Sequence, residues 1–202
     1  MRSILVIFAH PDDESFYAGG TIAKCIHAGA RITLICATRG QRGSTADLCT
    51  IEDLANVREA ELHAATRHLG LADSDVHVLD FQDQQVATAP PHEIRQILMS
   101  IIRKVKPEIV ITFDPNGVNQ HPDHIAIARF AADAIAASAD PRWYPADGGP
   151  HAVELVLWTS PVPVFKLGEK PELRNEPGID YLIDITSHLA AKQGALASHR
   201  TQ

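Results

Sequence analysis

Residues 4–14 read ILVIFAHPDDE, a continuous aliphatic run that ends abruptly in a polar turn. An aliphatic run without alternating polar residues is typical of a strand covered on both faces, as in parallel sheets. Its six apolar residues are too few to span a membrane, and the acidic turn that follows is unlike a signal peptide. The stretch therefore predicts a buried parallel strand with a histidine and acidic residues at its carboxyl end.

Later segments resemble this strand, and helical periodicity fills the gaps between them. We predict further strands at 32–37, 76–79, 109–113 and 155–158, with a weaker one at 181–185. Predicted helices cover 16–28, 52–69, 91–105 and 122–137, and proline-rich loops cover 140–150 and 159–178. Strands that alternate with helices in this way form right-handed βαβ units. The sequence thus predicts a Rossmann-like, doubly wound α/β fold with a mainly parallel sheet, helices on both faces and one domain over residues 1–202.

Composition narrows the class of protein. A chain of 202 residues with 45% hydrophobic content can bury a core without cross-links. With 25 acidic against 18 basic residues and no basic cluster, nucleic acid is not an expected partner. The three cysteines form no Cys-x-x-Cys pair, which argues against a disulfide framework and a cysteine-ligated zinc site. We therefore expect a cytoplasmic protein without a transmembrane segment; a homo-oligomer stays open.

Two histidine-rich turns are expected to share one rim of the sheet. In open α/β sheets, ligands bind outside the carboxyl ends of the strands. The first strand is followed by HPDDE at 10–14, and the strand at 109–113 is followed by DPNGVNQHPDH at 114–124. The first turn contains neither the dinucleotide fingerprint GxGxxG nor the phosphate loop GxxxxGK[ST]. The motifs that would favour an enzyme that binds a nicotinamide cofactor or ATP are thus missing from this turn, and a metal-dependent enzyme becomes the better hypothesis.

His10 and Asp13, together with His124 from the second turn, are the candidate metal ligands. Two imidazoles and a carboxylate suit Zn²⁺, although Fe²⁺ accepts the same set, and three protein ligands leave a position open for water. Asp12 is the candidate general base, and a protonated His121 could stabilise the oxyanion and protonate the leaving amine. Two alternatives stay open: the aspartates could cap the following helix, and His121 could be a fourth ligand that closes the site.

The motifs AHPDDE at 9–14 and HPDH at 121–124 resemble the signature pair of the PIG-L/LmbE-like zinc de-N-acetylases. The resemblance extends to TxGxxG from Thr38, RxxEL from Arg58 and KxxAxxxHxxQ from Lys192. Members of this family have a Rossmann-like fold and remove acetyl groups from substrates that contain N-acetylglucosamine. The resemblance therefore implies a metal-dependent deacetylase whose substrate is a small amino-sugar compound.

The resemblance also implies roles for individual residues. His10, Asp13 and His124 would bind the metal, Asp12 would act as the base, and His121 would assist at the oxyanion. For substrate binding it implies that Arg58 and Asp83 contact the sugar, whereas Asn119 stands where some members have a tyrosine that supports the oxyanion.

We therefore expect a zinc hydrolase that removes an acetyl group from an N-acetylated amino sugar. One rival is a zinc amidohydrolase that acts on another amide substrate. A second rival, from a different class, is a non-catalytic sugar- or nucleotide-binding α/β module. An Asp12 carboxylate beside an open three-ligand site favours the enzyme, because a binding module needs no base at that position.

Overall fold

The computed structural model describes residues 1–159 and 179–202. Its described strands form one parallel sheet in the order β3-β2-β1-β4-β5. Their bounds are β1 Ser3–Phe8, β2 Arg31–Thr38, β3 Val76–Phe81, β4 Ile109–Phe113 and β5 Leu155–Thr159. This arrangement confirms the expected doubly wound α/β fold. The proline-rich segment expected at 159–178 lies, from residue 160 onward, outside the described residues.

Six helices cover the sheet in the described ranges. They are α1 Gly19–His27, α2 Leu54–Leu69, α3 Pro91–Val105, α4 Gly117–Gln120, α5 Pro122–Ala139 and α6 Leu189–Ser198. Short helical turns occur at Glu14–Ala18, Asp73–Asp75, Val86–Thr88, Pro145–Asp147 and Thr186–His188. Helices α1, α2 and α6 pack together, and α3 packs on α5. Because right-handed crossovers reverse direction at β1, the two groups cover opposite faces of the sheet.

Strand β1 lies at the centre of the sheet, between β2 and β4. Every residue of β1 is buried, which explains why its sequence is aliphatic throughout rather than alternating.

None of the helices in 1–159 and 179–202 combines the length and the apolar character needed to cross a bilayer.

The expectation of a strand at 181–185 was wrong. These residues form no strand, and Tyr181, Leu182 and Ile183 are largely exposed. The segment lies against α1 instead: Lys24 Nζ donates to the Asp184 carbonyl at 2.7 Å, and Ile185 packs onto Gly20, where a Cβ would collide with it. A short apolar run becomes a strand only where a sheet edge is available to pair with it, and this run is held on a helix.

The expected first helix, 16–28, also begins differently. A π-helical turn at Glu14–Ala18 precedes α1, so the chain passes from the polar turn directly into helical backbone. Such turns are often found at functional sites.

Arg103 of α3 closes the carboxyl-terminal end of α5. Its buried guanidinium donates to the backbone carbonyls of Ala137, Ser138, Asp140, Tyr144 and Gly148. The last carbonyls of a helix have no partner within the helix, and a buried cation needs acceptors. One side chain thus satisfies both requirements and fixes the loop that follows α5.

We expect Arg103→Met to lower the free energy of unfolding by about 3 kcal/mol, because it leaves several buried carbonyls unpaired. Urea unfolding would measure the change. Lys104→Met is the matched control, since Lys104 is exposed on the same helix and should change stability by less than about 0.5 kcal/mol. Equal losses in both variants would contradict the capping role.

Candidate metal centre and active site

The candidate site lies where the sheet reverses its order, between the carboxyl ends of β1 and β4. These strands are neighbours, and the connections that follow them leave toward opposite faces of the sheet. His10 follows β1, and His121 and His124 follow β4. The fold therefore brings the two histidine-rich turns together across one crevice.

Asp13 is fixed by the turn that contains it. Its Oδ2 atom accepts the backbone N–H groups of Ala9 at 3.2 Å and His10 at 2.7 Å. Its Oδ1 atom lies 3.3 Å from Nε2 of His124. The buried carboxylate thus connects the turn after β1 with the first turn of α5.

His124 is oriented by its other ring nitrogen and by an aromatic neighbour. Its Nδ1 atom lies 3.2 Å from the carbonyl oxygen of Gly117, and its ring stacks on Phe113 at a centroid distance of 4.0 Å. Because a carbonyl oxygen can only accept, a proton on Nδ1 is satisfied by Gly117, and the neutral ring can then present the lone pair of Nε2 to a cation. Nε2 is thus available as a ligand atom.

His10 is oriented in the same manner by two carboxylates. Its Nε2 atom lies 3.2 Å from both Asp83 Oδ1 and Asp123 Oδ2, so Nε2 carries the proton. Its Nδ1 atom then presents a lone pair toward Nε2 of His124, at 3.2 Å, and toward Asp13 Oδ2, at 3.6 Å. A hydrogen-bonded carboxylate behind the imidazole is the usual support of a metal-ligating histidine.

Two ring nitrogens and the two oxygens of one carboxylate therefore face one another. His10 Nδ1 lies 3.2 Å from His124 Nε2 and 3.6 Å from Asp13 Oδ2, and His124 Nε2 lies 3.3 Å from Asp13 Oδ1. Ligand atoms at tetrahedral zinc, about 2.0 to 2.1 Å from the ion, are separated by about 3.3 Å. The described residues also bring ring nitrogens of His10, His121 and His124 within 4.8 Å of one another. The donor types and their spacing fit a small divalent cation.

The charges around His10 favour a cation at this place. Burial opposes a charge on His10, yet the carboxylates of Asp123, Asp13 and Asp83 raise the pKa of its imidazole to about 11. Burial also opposes ionisation of Asp13, but His10 and His124 hold the pKa of that carboxyl below its usual value. A positive charge is therefore stabilised here, either as a proton on His10 or as a bound ion.

Asp83 and Asp123 tie the candidate ligands to the loops around them. Asp123 accepts the backbone N–H groups of Gln84 at 2.6 Å and Val86 at 3.0 Å, and Asp83 accepts that of Arg42 at 2.9 Å. Asp123 is fully buried, so the carboxylate that supports His10 also fixes the loop after β3. The resemblance implies that Asp83 contacts the sugar, and in the structure its carboxylate lies 3.2 Å from His10 Nε2.

Asp12 has a φ of +123°, a backbone conformation that side-chain-bearing residues rarely adopt. Its N–H donates to Glu14 Oε2 at 3.1 Å, and its carbonyl accepts the N–H of Ser15 at 3.0 Å. Burial and the negative charge of Asp13 raise the pKa of the Asp12 carboxyl to about 7. Backbone strain of this kind clusters at functional sites, where the direction of a side chain matters.

Arg58 of α2 braces the two loops beside Asp12. Its buried guanidinium donates to Gly40 O at 3.0 Å and Pro11 O at 2.7 Å, and it lies 3.5 Å from Asp12 Oδ2. A Cβ at Gly40 or Gly43 would collide with this guanidinium, which explains the two glycines of the TxGxxG motif. The side chain that the resemblance assigns to the sugar thus contacts the protein itself.

His121 caps the amino terminus of α5. Its Nδ1 atom accepts the N–H of Asp123 at 3.2 Å, and its own N–H donates to Asn119 Oδ1 at 3.1 Å. Because Nδ1 accepts a hydrogen bond, the ring is neutral and carries its proton on Nε2. Burial, with His10 and His124, also lowers the pKa of His121. The expected doubly protonated ring does not fit this geometry, whereas a neutral Nε2–H donor does.

His199 is the histidine of the KxxAxxxHxxQ motif. In the structure its Nε2 atom lies 2.8 Å from Glu14 Oε1, next to the turn that holds Asp12 and Asp13. The two residues are 185 positions apart, so local sequence gives no signal of the contact.

Known proteins are similar to this chain in sequence and in fold. Residues 5–135 match the family model described as PIG-L, GlcNAc-PI de-N-acetylase. The chain is 31% identical to the 1D-myo-inositol 2-acetamido-2-deoxy-alpha-D-glucopyranoside deacetylase of Streptomyces avermitilis, with all of this chain and 83% of the relative covered.

Solved structures with the same fold include enzymes of two kinds. The N,N'-diacetylchitobiose deacetylase from Pyrococcus horikoshii has a TM-score of 0.80 and 28% identity, over 100% of this chain and 70% of that chain. The 4-carboxy-2-hydroxymuconate hydratase from Pseudomonas putida has a TM-score of 0.74 and 25% identity, over 98% of this chain and 79% of that chain.

We expect Asp123→Asn to lower the free energy of unfolding of the metal-free protein by about 2 kcal/mol. In the parent, both oxygens of Asp123 accept backbone N–H groups, whereas the NH₂ group of asparagine would leave one of these N–H groups without an acceptor. Urea unfolding in the presence of a chelator would measure the loss. Asp133→Asn on the same helix is the control, since Asp133 is partly exposed and pairs only with Arg95 in the described residues. If the two variants unfold at the same denaturant concentration, Asp123 does not anchor the loop after β3.

Proposed function

This chain belongs to the family of GlcNAc-PI de-N-acetylases, PIG-L, and we propose that it is a zinc-dependent hydrolase that removes the acetyl group from an N-acetylglucosamine-type substrate. One observation carries the proposal. Lone pairs of His10 and His124 meet the Asp13 carboxylate within 3.2 to 3.6 Å, while the other nitrogen of each ring is bound to an acceptor. The named activity of the Streptomyces avermitilis relative, a deacetylase of a 2-acetamido-2-deoxyglucoside, supports the substrate class.

His10, Asp13 and His124 are the proposed metal ligands. The two-imidazole, one-carboxylate donor set supports Zn²⁺, and the same donors would also hold Fe²⁺. When bound, the ion supplies a Lewis acid that polarises the acetamide carbonyl and makes nearby water more acidic. Asp83 and Asp123 keep the Nε2 proton on His10, which leaves Nδ1 free as a ligand atom.

Asp12 is the proposed general base. Its carboxylate is largely buried, belongs to the residue next to the proposed ligand Asp13, and lies 3.5 Å from the guanidinium of Arg58. It accepts a proton from the attacking water while the water oxygen bonds to the acetyl carbon. As the carbon–nitrogen bond breaks, Asp12 returns that proton to the nitrogen, and the products are acetate and the free amine.

His121 is the proposed donor to the developing oxyanion. With Nδ1 accepting the N–H of Asp123, only Nε2–H is available to the substrate, and it can stabilise negative charge on the carbonyl oxygen. This tautomer leaves proton return to Asp12 rather than to His121. It also places a donor rather than a fourth ligand at this position, which keeps the site open.

The proposed substrate-binding residues are Arg58, Asp83 and Asn119. Each side chain bonds to a part of the chain that carries a catalytic or ligand residue: Pro11 O for Arg58, His10 for Asp83 and the His121 N–H for Asn119. We propose that these side chains contact the sugar and also position the residues that bind the metal or act in catalysis. We further propose one catalytic domain over residues 1–202, since the described strands form one sheet over one hydrophobic core.

A cytoplasmic location is part of the proposal. Its support is the three cysteines, which are free thiols in the structure, as expected in a reducing compartment. The proposed binding partner is a small amino-sugar substrate. We also propose that the protein can form a homo-oligomer, and its molar mass in solution would test this.

Acetate release from a panel of free, glycolipid-linked and thiol-linked N-acetylglucosamine compounds tests the activity. N-acetylated amines without a sugar serve as comparators. Release from the sugar compounds supports the proposal, whereas preferential release from the comparators would assign the site to another amide substrate. A metal-loaded protein that releases acetate from none of them would contradict it.

We expect the purified protein to carry one divalent ion per chain after expression with added zinc, as the three-ligand set requires. His10→Ala should lose that ion, because it removes one ligand and exposes Asp13 to solvent. Elemental analysis by mass spectrometry measures the content. His92→Ala, an exposed histidine at the start of α3, should retain it. A parent protein without a stoichiometric ion would rule out the metal-dependent mechanism.

We expect Asp12→Asn to retain the ion and to lower kcat for acetate release by about 100-fold or more, since the amide cannot accept the proton. Metal content and kcat are measured on the same preparation. Asp133→Asn controls for the loss of an acidic group elsewhere on the surface. Equal turnover by Asp12→Asn and the parent would remove Asp12 from the reaction.

A further inference from the structure

Three buried polar residues from two distant parts of the chain meet next to the turn that holds Asp12. Glu14, Ser15 and His199 are at most 5% exposed. Glu14 Oε1 lies 2.8 Å from Nε2 of His199 and 2.5 Å from Oγ of Ser15. A carboxylate buried to this degree is stable only when its oxygens are paired, and His199 supplies one partner through Nε2–H.

The other oxygen of Glu14 acts on the backbone of Asp12. Glu14 Oε2 accepts the Asp12 N–H at 3.1 Å, and this is the peptide group at the strained φ of +123°. A strained conformation persists only where its surroundings fix it. The hydrogen bond from Asp12 therefore depends on the place of the Glu14 carboxylate, and His199 fixes one of its oxygens.

The residues that follow His199 are anchored on helix α2. Glu61 of α2 accepts the N–H groups of Arg200 at 3.1 Å and Thr201 at 3.2 Å, and the Thr201 hydroxyl at 2.6 Å. Arg58, one turn earlier on α2, bonds to Pro11 and lies beside Asp12. Helix α2 thus positions both the segment 199–201 and the turn on which that segment acts.

We propose that His199 is a positioning residue: through Glu14 it fixes the backbone of Asp12 and so directs the Asp12 carboxylate toward the reacting water. The segment 199–201, anchored on Glu61, is the part of the chain that supplies this contact. The inference rests on the proposed function of Asp12 as base, and it gives the KxxAxxxHxxQ motif a role in catalysis.

Three variants test the proposal. His199→Leu removes the donor at similar volume, whereas His199→Gln keeps an amide N–H that can reach Glu14. Ser138→Ala is the matched control, because it removes a buried hydroxyl that bonds to Ile135 and His151 at the far end of α5.

With a panel substrate, kcat of His199→Leu should fall about ten- to a hundredfold, as expected for a misplaced catalytic group. KM should stay within about twofold of the parent value, because substrate contacts are unchanged. Metal content should be unchanged as well. His199→Gln should recover most of the loss, and Ser138→Ala should turn over like the parent.

A second measurement does not depend on activity or on metal. Hydrogen exchange of the Asp12 amide, followed by NMR in the metal-free protein, should be slow in the parent, His199→Gln and Ser138→Ala. It should be faster in His199→Leu, while the amides of β1 keep their protection. If His199→Leu does not fold, Thr201→Val keeps His199 but weakens its anchor on Glu61, and it should accelerate the same amide to a smaller extent.

Parental kcat and parental Asp12 exchange in His199→Leu would overturn the inference, as would unchanged exchange in Thr201→Val. A loss of turnover explained by lost metal, or matched by Ser138→Ala, would also overturn it. Failure of the proposed function gives a different result: the parent protein then releases no acetate, while the exchange data still decide whether His199 fixes the Asp12 backbone.

Discussion

The close approach of two imidazole lone pairs and a carboxylate is the constraint on which the rest of the site depends. Nδ1 of His10, Nε2 of His124 and the Asp13 carboxylate lie 3.2 to 3.6 Å apart, and like charge density at this distance is unfavourable without a cation. Each ring is held there by an acceptor behind it, and Asp13 is held by two backbone N–H groups. The sheet makes this possible because β1 and β4 are adjacent at the point where its order reverses.

Both turns that meet at this point contain strained backbone. Asp12 has a φ of +123°, and Val118 and Gln120 have φ values of 61° and 65°. A β-branched residue such as Val118 rarely adopts this conformation. Side-chain carboxylates hold both turns: Asp114 accepts the Val118 N–H at 2.6 Å, and Glu14 accepts that of Asp12 at 3.1 Å. The proposed reaction thus depends on groups that never touch the substrate.

Several of the acidic side chains that give the chain its negative charge are buried and form hydrogen bonds at the site. Asp13, Asp83 and Asp123 surround His10, and Glu14 lies behind Asp12. Sequence motifs include most of these positions, whereas their contacts with one another are seen in the structure. The resemblance implies that Arg58 and Asp83 contact the sugar, but a motif gives the position of a residue along the chain and not its contacts within the protein. Their side chains reach Pro11 and His10, across loops that approach only when the strands pair.

The doubly wound sheet and the candidate ligands could be predicted from the sequence alone. Both are encoded locally, in aliphatic runs that match a strand buried on both faces and in His10 and Asp13 at turn spacing. Three other features are seen only in the folded protein: residues 181–185 lie on α1, Asp123 supports His10, and His199 reaches Glu14. These contacts join residues up to 185 positions apart, and they exist because helices α2, α5 and α6 pack around the sheet and bring distant side chains into hydrogen-bonding range.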